Sequence, residues 1–128
     1  ASTVNIAIGQ RLARKVCGKC KVAKKITPAE VESLEDVITD KASIRNKTFY
    51  HGKGCDECNG SGYRGRIGIH EVMVIDNELR EATLKKVTAT ELRQIAIKNG
   101  MTTMIEDGFK KAHDGITTIE EVLRMMYE

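Results

Sequence analysis

A chain of 128 residues, 41% hydrophobic and 30% charged, has the size and balance of about one globular domain. With aromatic residues at only 4%, the core is expected to be aliphatic and helical, and no apolar run approaches the roughly 20 residues of a bilayer-spanning helix. The net charge of +3 is too small to argue for nucleic acid by itself.

The chain opens on Ala1-Ser2-Thr3-Val4-Asn5, which has neither a tag's nor a signal's composition and suggests a piece of a larger protein. Ile8, Leu12 and Val16 then fall at i, i+4, i+8, which predicts an amphipathic helix over residues 1–16 running into the first cysteine pair, Cys17-Gly18-Lys19-Cys20. Thr27-Pro28-Ala29-Glu30 combines a capping box with proline at the first helical position, where its missing N–H costs nothing, and predicts a helix over 28–38. Residues 39–53, polar around Asp40-Lys41-Ala42-Ser43, read as a loop. The second pair, Cys55-Asp56-Glu57-Cys58, runs into the glycine-rich Asn59-Gly60-Ser61-Gly62-Tyr63-Arg64-Gly65-Arg66, whose glycines let a backbone wrap a metal knuckle. Residues 67–75, β-branched and bounded by Gly65 and Asp76, read as a strand, and Asp76 can cap a helix through Leu79-Arg80-Glu81-Ala82. Boxes at Thr88/Glu91, Thr103/Glu106 and Thr118/Glu121, with stops at Gly100 and Gly115, predict three further short helices with apolar stripes that pack on one another.

The four cysteines are all the chain has, and their C-x2-C…C-x2-C spacing is that of a tetrathiolate metal site. Two intervening residues let both sulfurs of a pair turn toward one centre, and two pairs complete the tetrahedron of a closed Zn2+ site. Four thiolates leave no position for water or substrate, so a zinc held by Cys17, Cys20, Cys55 and Cys58 would be structural. Iron in a rubredoxin-like site uses the same ligands, and the sequence admits either metal. Disulfides would need an oxidising compartment that no leader segment announces, and a thioredoxin-like pair would leave the other pair unexplained.

Arg11, Arg14, Lys15, Lys19, Lys21, Lys24 and Lys25 carry seven charges with no acid among them. Stacking aromatics are missing from this run, so we read it as compensation for the charge of about −2 on a zinc tetrathiolate rather than as a nucleic-acid surface. His51 and His70 are read as packing or hydrogen-bonding residues, since four cysteines already suffice. Glu120/Glu121 and Glu35/Asp36 are read as solvated faces. No nucleophile with a base and no G-x-x-x-x-G-K-[ST] loop is present, so no catalytic residue is assigned. The resulting expectation is an α+β chain: a small tetracysteine zinc module with a short strand, residues 17–75, followed by a compact bundle of short helices as a C-terminal subdomain, residues 76–128.

Gln10-Arg11-Leu12-Ala13-Arg14-Lys15-Val16-Cys17 leading into Cys20-Lys21, then residues 54–71 from Gly54-Cys55-Asp56-Glu57-Cys58 through Arg66-Ile67-Gly68-Ile69-His70-Glu71, resemble the C-terminal part of the type II secretion and type IV pilus assembly ATPases. Asp76-Asn77-Glu78-Leu79-Arg80, Gly100-Met101-Thr102-Thr103-Met104 and residues 114–123 are similar to that family's closing helices. The likeness covers most of the chain and is weakest over residues 22–53; Gly18 stands where the family often carries proline. The resemblance implies a cytoplasmic traffic ATPase, peripheral at the inner membrane, that assembles as a homohexamer and acts on a membrane platform protein. It also implies that ATP and Mg2+ bind upstream, that residues 1–16 lie at the edge of the ATPase core, and that the four cysteines hold structural zinc. Two other classes share part of the pattern: the C-x-x-C-x-G-x-G unit of the J-domain chaperones' client-binding cysteine-rich region, and a nucleic-acid-binding zinc ribbon.

Overall fold

Residues Ile6–Val16 form strand β1, not the helix expected over 1–16. A spacing of four fits a helical face, but being even it also fits one face of a strand, and pairing with a distant segment decides between them. That segment is the long strand Tyr63–Val74, which begins four residues earlier than its β-branched core suggests. The structure, a computed structural model, describes residues 5–35, 44 and 47–126. Within it, β1 is followed by β2 (Lys21–Lys24), helix α1 (Pro28–Glu35), β3 (Phe49–Gly52), β4 (Tyr63–Val74) and helices α2 (Asn77–Leu84), α3 (Ala89–Lys98), α4 (Met104–His113) and α5 (Ile119–Met126). The architecture is α+β, as expected.

Two small antiparallel sheets result, one from β1 and β4 and one from β2 and β3. Ile6 stands opposite Val74 and Val16 opposite Tyr63, with a bulge between Arg14 and Val16; in the second sheet Lys21 stands opposite Gly52 and Lys24 opposite Phe49. Strand β3 corrects the loop expected over 39–53. Its four residues acquire strand structure from β2, more than twenty residues earlier, and no local signal announces that. The part of that loop at 39–43 and 45–46, and the last residues of the helix expected over 28–38, lie outside the described residues.

The helix starts follow their local chemistry. Thr27 and Glu30 exchange side-chain and backbone hydrogen bonds ahead of α1, and Asp76 accepts from the Leu79 N–H ahead of α2. Thr88 caps α3, and Thr103 with Glu106 completes a reciprocal box on α4. Helices α3 and α4 end on Gly100 and Gly115, where Met101 donates to Ala96 O and Ile116 to Lys111 O in the 6→1 pattern of a Schellman stop. Replacing Thr103 by alanine strips the Glu106 N–H of its acceptor, and we expect a loss of about 1 kcal/mol in urea unfolding, with the metal content unchanged.

The apolar stripes of α4 and α5 do more than pack on each other. Phe109 and Ala112 of α4, with Ile119 and Val122 of α5, share a core with Leu34 of α1, Ile44 and Phe49 of β3. Both phenylalanines of the chain meet there, ring centroids 5.3 Å apart. A second cluster joins Met125 of α5 to Ala13 of β1 and Ile69 of β4. Helices α2 and α3 pack on each other and contribute no residue to either cluster. No helix among the described residues is long and apolar enough to cross a membrane.

Candidate metal centre

Each cysteine pair lies where the chain passes from one sheet to the other. Cys17 and Cys20 link β1 to β2, and Cys55 and Cys58 link β3 to β4. Because β1 pairs with β4 and β2 with β3, the two links must meet, and sheet pairing closes a separation of 38 residues. The Cys17 N–H donates to Gly62 O and the Lys53 N–H to Cys20 O, tying each link to the other.

The four sulfurs lie within 4.8 Å of one another. Cys17 and Cys55 Sγ are 3.7 Å apart, Cys55 and Cys58 3.6 Å, and Cys20 and Cys58 3.9 Å. Sulfurs about 2.3 Å from a central zinc stand about 3.8 Å apart in a tetrahedron, so the donor set fits the ion, whereas a disulfide needs about 2.05 Å. Among the described residues this is the only group of His, Cys, Asp and Glu with metal-ligand geometry. His51 and His70 stand outside it. His51 lies in β3 opposite Val22 with its Nδ1 buried and without a hydrogen-bond partner among the described residues, and His70 is exposed on β4.

Backbone amides aim at the sulfurs. Gly54 N–H donates to Cys20 Sγ at 3.3 Å, and Cys55 N–H and Gly62 N–H both donate to Cys58 Sγ at 3.2 Å. Burial would raise the Cys58 thiol, but those two amides, with the neighbouring thiols, outweigh it and bring its pKa down to about 6. Cys17 is also lowered, by the Lys19 N–H against burial and then by the Cys20 N–H. Burial and the three surrounding thiols push Cys20 up to about 11, against the Gly54 N–H. A bound cation would favour the thiolate of all four.

Two glycines set how closely the links approach. A Cβ on Gly52 would lie 2.2 Å from Gly62 O, and one on Gly62, whose φ is +81°, would lie 2.5 Å from Gly52 O. Only glycine at both positions lets the end of β3 cross the start of β4 at backbone contact.

The basic run is largely engaged within the fold. Lys19 and Arg64 both pair with Glu57, Lys21 lies over the Tyr50 ring and reaches Gly115 O, and Lys24 pairs with Glu30 and Glu120. Arg14 stacks on Tyr63 at 4.1 Å and pairs with Glu121. Glu121 corrects the reading of Glu120/Glu121 as a solvated face: it is 1% exposed, and its carboxylate accepts from the Arg14 N–H, the Arg14 guanidinium and Arg124. Its own N–H still donates to Thr118 Oγ1, but its side chain turns to β1 instead of closing a box. Thr117 Oγ1 donates to Arg14 O, Val16 N–H to Ile116 O, and the Tyr63 and Thr118 hydroxyls meet at 2.8 Å. This network ties the start of α5 to the last residues before Cys17. Glu121 lies one helical turn before Met125 on the buried face of α5, and that placement was its only sequence signal.

Four clustered thiols set between two small sheets, backed by short helices, make this an α+β module whose sulfurs could hold a metal ion. The family model of the type II/IV secretion system protein matches residues 1–124. The chain belongs to that family. It is 46% identical over 121 residues to the type IV pilus assembly ATPase PilB of Thermus thermophilus, covering 94% of this chain and 13% of that protein. It is 38% identical over 122 residues to the PilB of Myxococcus xanthus, covering 95% and 21%, and 32% identical over 121 residues to the type II secretion system ATPase E of Vibrio cholerae, covering 94% and 23%. The chain thus spans less than a quarter of the length of these relatives.

Proposed function

We propose that this chain is the C-terminal zinc-binding region of a hexameric cytoplasmic ATPase that powers type IV pilus assembly or type II protein secretion, with a structural and non-catalytic part in that machine. The observation that carries the metal role is the cluster of four sulfurs at tetrahedral spacing. The family match and the named relatives support the motor. On this reading Cys17, Cys20, Cys55 and Cys58 hold one Zn2+. ATP and Mg2+ belong to a domain outside this chain, as no phosphate-cradling loop occurs within it. The partners are the other subunits of the hexamer and the inner-membrane platform protein, with the assembly peripheral to the membrane. Residues 76–128 act as a helical subdomain whose position relative to the motor is fixed by the metal module through the Arg14–Glu121 contact.

Elemental analysis of protein purified without added metal tests the site: one zinc per chain is expected. A value near zero, with two disulfides found by mass spectrometry, would overturn it. The role in the motor is tested in the full-length parent carrying all four Cys→Ser changes. ATP turnover or hexamer formation is expected to fall. Wild-type values for both in metal-free protein would remove the zinc from motor function.

A further inference from the structure

Two asparagines of the chain are followed by glycine, in Asn59-Gly60 and Asn99-Gly100. In such a pair the glycine's main-chain nitrogen can attack the asparagine side-chain carbonyl, because no Cβ on the following residue blocks its approach. An N–C bond forms, the side-chain nitrogen leaves as ammonia, and water then opens the cyclic imide. Opening at one carbonyl gives aspartate; opening at the other gives isoaspartate, whose main chain runs through the side-chain carbon. Water is the only co-reactant.

Both pairs are exposed, so access does not separate them. Their hydrogen bonds do. Asn99 Nδ2 donates to Asp76 Oδ2 at 2.9 Å and to Glu78 Oε1 at 3.2 Å, and the Gly100 N–H donates to Ile97 O. Turning that side chain onto the Gly100 nitrogen breaks two bonds to carboxylates, which are stronger than neutral ones. The Asn59 side chain has no hydrogen bond among the described residues and opens on a cleft of about 380 Å³ lined by Gly54, Cys55 and Asp56. Main-chain bonds alone hold this second pair: the Asn59, Gly60 and Ser61 N–H groups donate to Asp56, Cys55 and Cys58 O at 3.3, 2.9 and 3.1 Å. The attacking nitrogen is therefore engaged for as long as the turn through Cys55 and Cys58 stays closed. That turn also holds Asn59 at a φ of +54°, a left-handed conformation that an opened chain leaves.

We propose that Asn59 is a modification site: when the turn carrying Cys55 and Cys58 opens, the Gly60 nitrogen converts its side chain to aspartate and isoaspartate, and the isoaspartate form no longer closes the metal centre. Isoaspartate adds one carbon to the main chain directly after Cys58, inside a turn held by three backbone bonds. On the zinc reading above, on which this proposal rests, the bound ion is what keeps the turn closed. Asn99, held by carboxylates at the start of α2, is the internal control.

The full chain, as purified and after chelation, is incubated in mildly alkaline buffer and digested; mass spectrometry counts amide-to-acid conversion at each pair, and chromatography separates aspartate from isoaspartate. A site that reacts only through its open state converts in proportion to the open population, so chelation is expected to speed Asn59 conversion about tenfold or more. In the chelated chain Asn99 is expected to convert about tenfold more slowly than Asn59. Isoaspartate chains isolated by ion exchange are expected to bind zinc about tenfold more weakly than unmodified ones. Asn59 conversion unchanged by chelation, equal conversion of the two pairs, or full zinc binding by the isoaspartate chains would each overturn the proposal. The zinc content of the starting protein keeps the two readings apart: with none bound, the metal reading fails by itself, urea takes the chelator's place, and the same contrast between Asn59 and Asn99 is expected.

Discussion

Removing the metal, by chelation or by Cys55→Ser, is expected to erase amide protection across residues 15–24 and 49–65 and to lower it in α5, while α2 and α3 keep theirs. Structural zinc in small modules contributes roughly 10–16 kcal/mol of apparent binding energy at neutral pH, which is folding energy where the ligands converge only in the native state. Here the four thiols come from links between two different pairs of strands, so, with zinc as proposed, each sheet is expected to lose a fixed end when the ion leaves. Helix α5 is affected because Val16 bonds Ile116 and Arg14 bonds both Thr117 and Glu121, directly before Cys17. Helices α2 and α3 pack as a pair and contribute no residue to the core cluster around Phe49. Residue-resolved hydrogen exchange with and without chelator is the measurement. Unchanged protection at residues 15–24 would deny the metal a folding role, and equal loss through α2 and α3 would show that this helix pair depends on the metal as the rest does.

Glu121→Gln is expected to cost about 2–3 kcal/mol at neutral pH, and its cost is expected to vanish in acid. Burial would raise the Glu121 pKa, but hydrogen bonds from Arg124 and from the Arg14 side chain and N–H overcome this and hold it at about 2, against an ordinary 4.5. A folded-state pKa below the unfolded one stabilises the fold above the unfolded value, and that stability is lost as pH falls through the folded value. The window therefore runs from about pH 4.5 down to about pH 2. Arg14 and Arg124 are 52% and 38% exposed in their side chains, so water screens part of the pair and the smaller end of the range is the better guide. Acid also protonates the cysteines and releases metal, so the quantity to follow is the urea midpoint of Glu121→Gln relative to wild type at each pH. A constant difference between pH 7 and pH 2 would show that the carboxylate's charge is not what anchors α5 to β1. A difference of zero throughout would remove Glu121 from the fold's energetics.

The local chemistry of the sequence determined the helix starts and stops. Thr27, Asp76, Thr88 and Thr103 cap where their hydroxyl or carboxylate reaches a nearby N–H, and Gly100 and Gly115 stop α3 and α4 through bonds spanning a single turn. The clustering of the four cysteines was legible for a similar reason, since C-x2-C is a local geometric statement and four cysteines leave few ways to form one centre. Strand β1 was not legible, because Ile8, Leu12 and Val16 satisfy two periods at once and only β4, whose first residue pairs with Val16 from position 63, selects the extended one. Strand β3 was hidden in the same way, as Phe49–Gly52 has no strand without β2. Glu121 shows the limit most directly: its sequence neighbours make it a capping residue on a solvated face, and tertiary packing makes it the buried partner of Arg14, 107 residues away. Interactions within one turn are encoded in adjacent residues, whereas the choice of strand partner and the burial of a charge depend on which distant groups arrive, which only the folded chain decides.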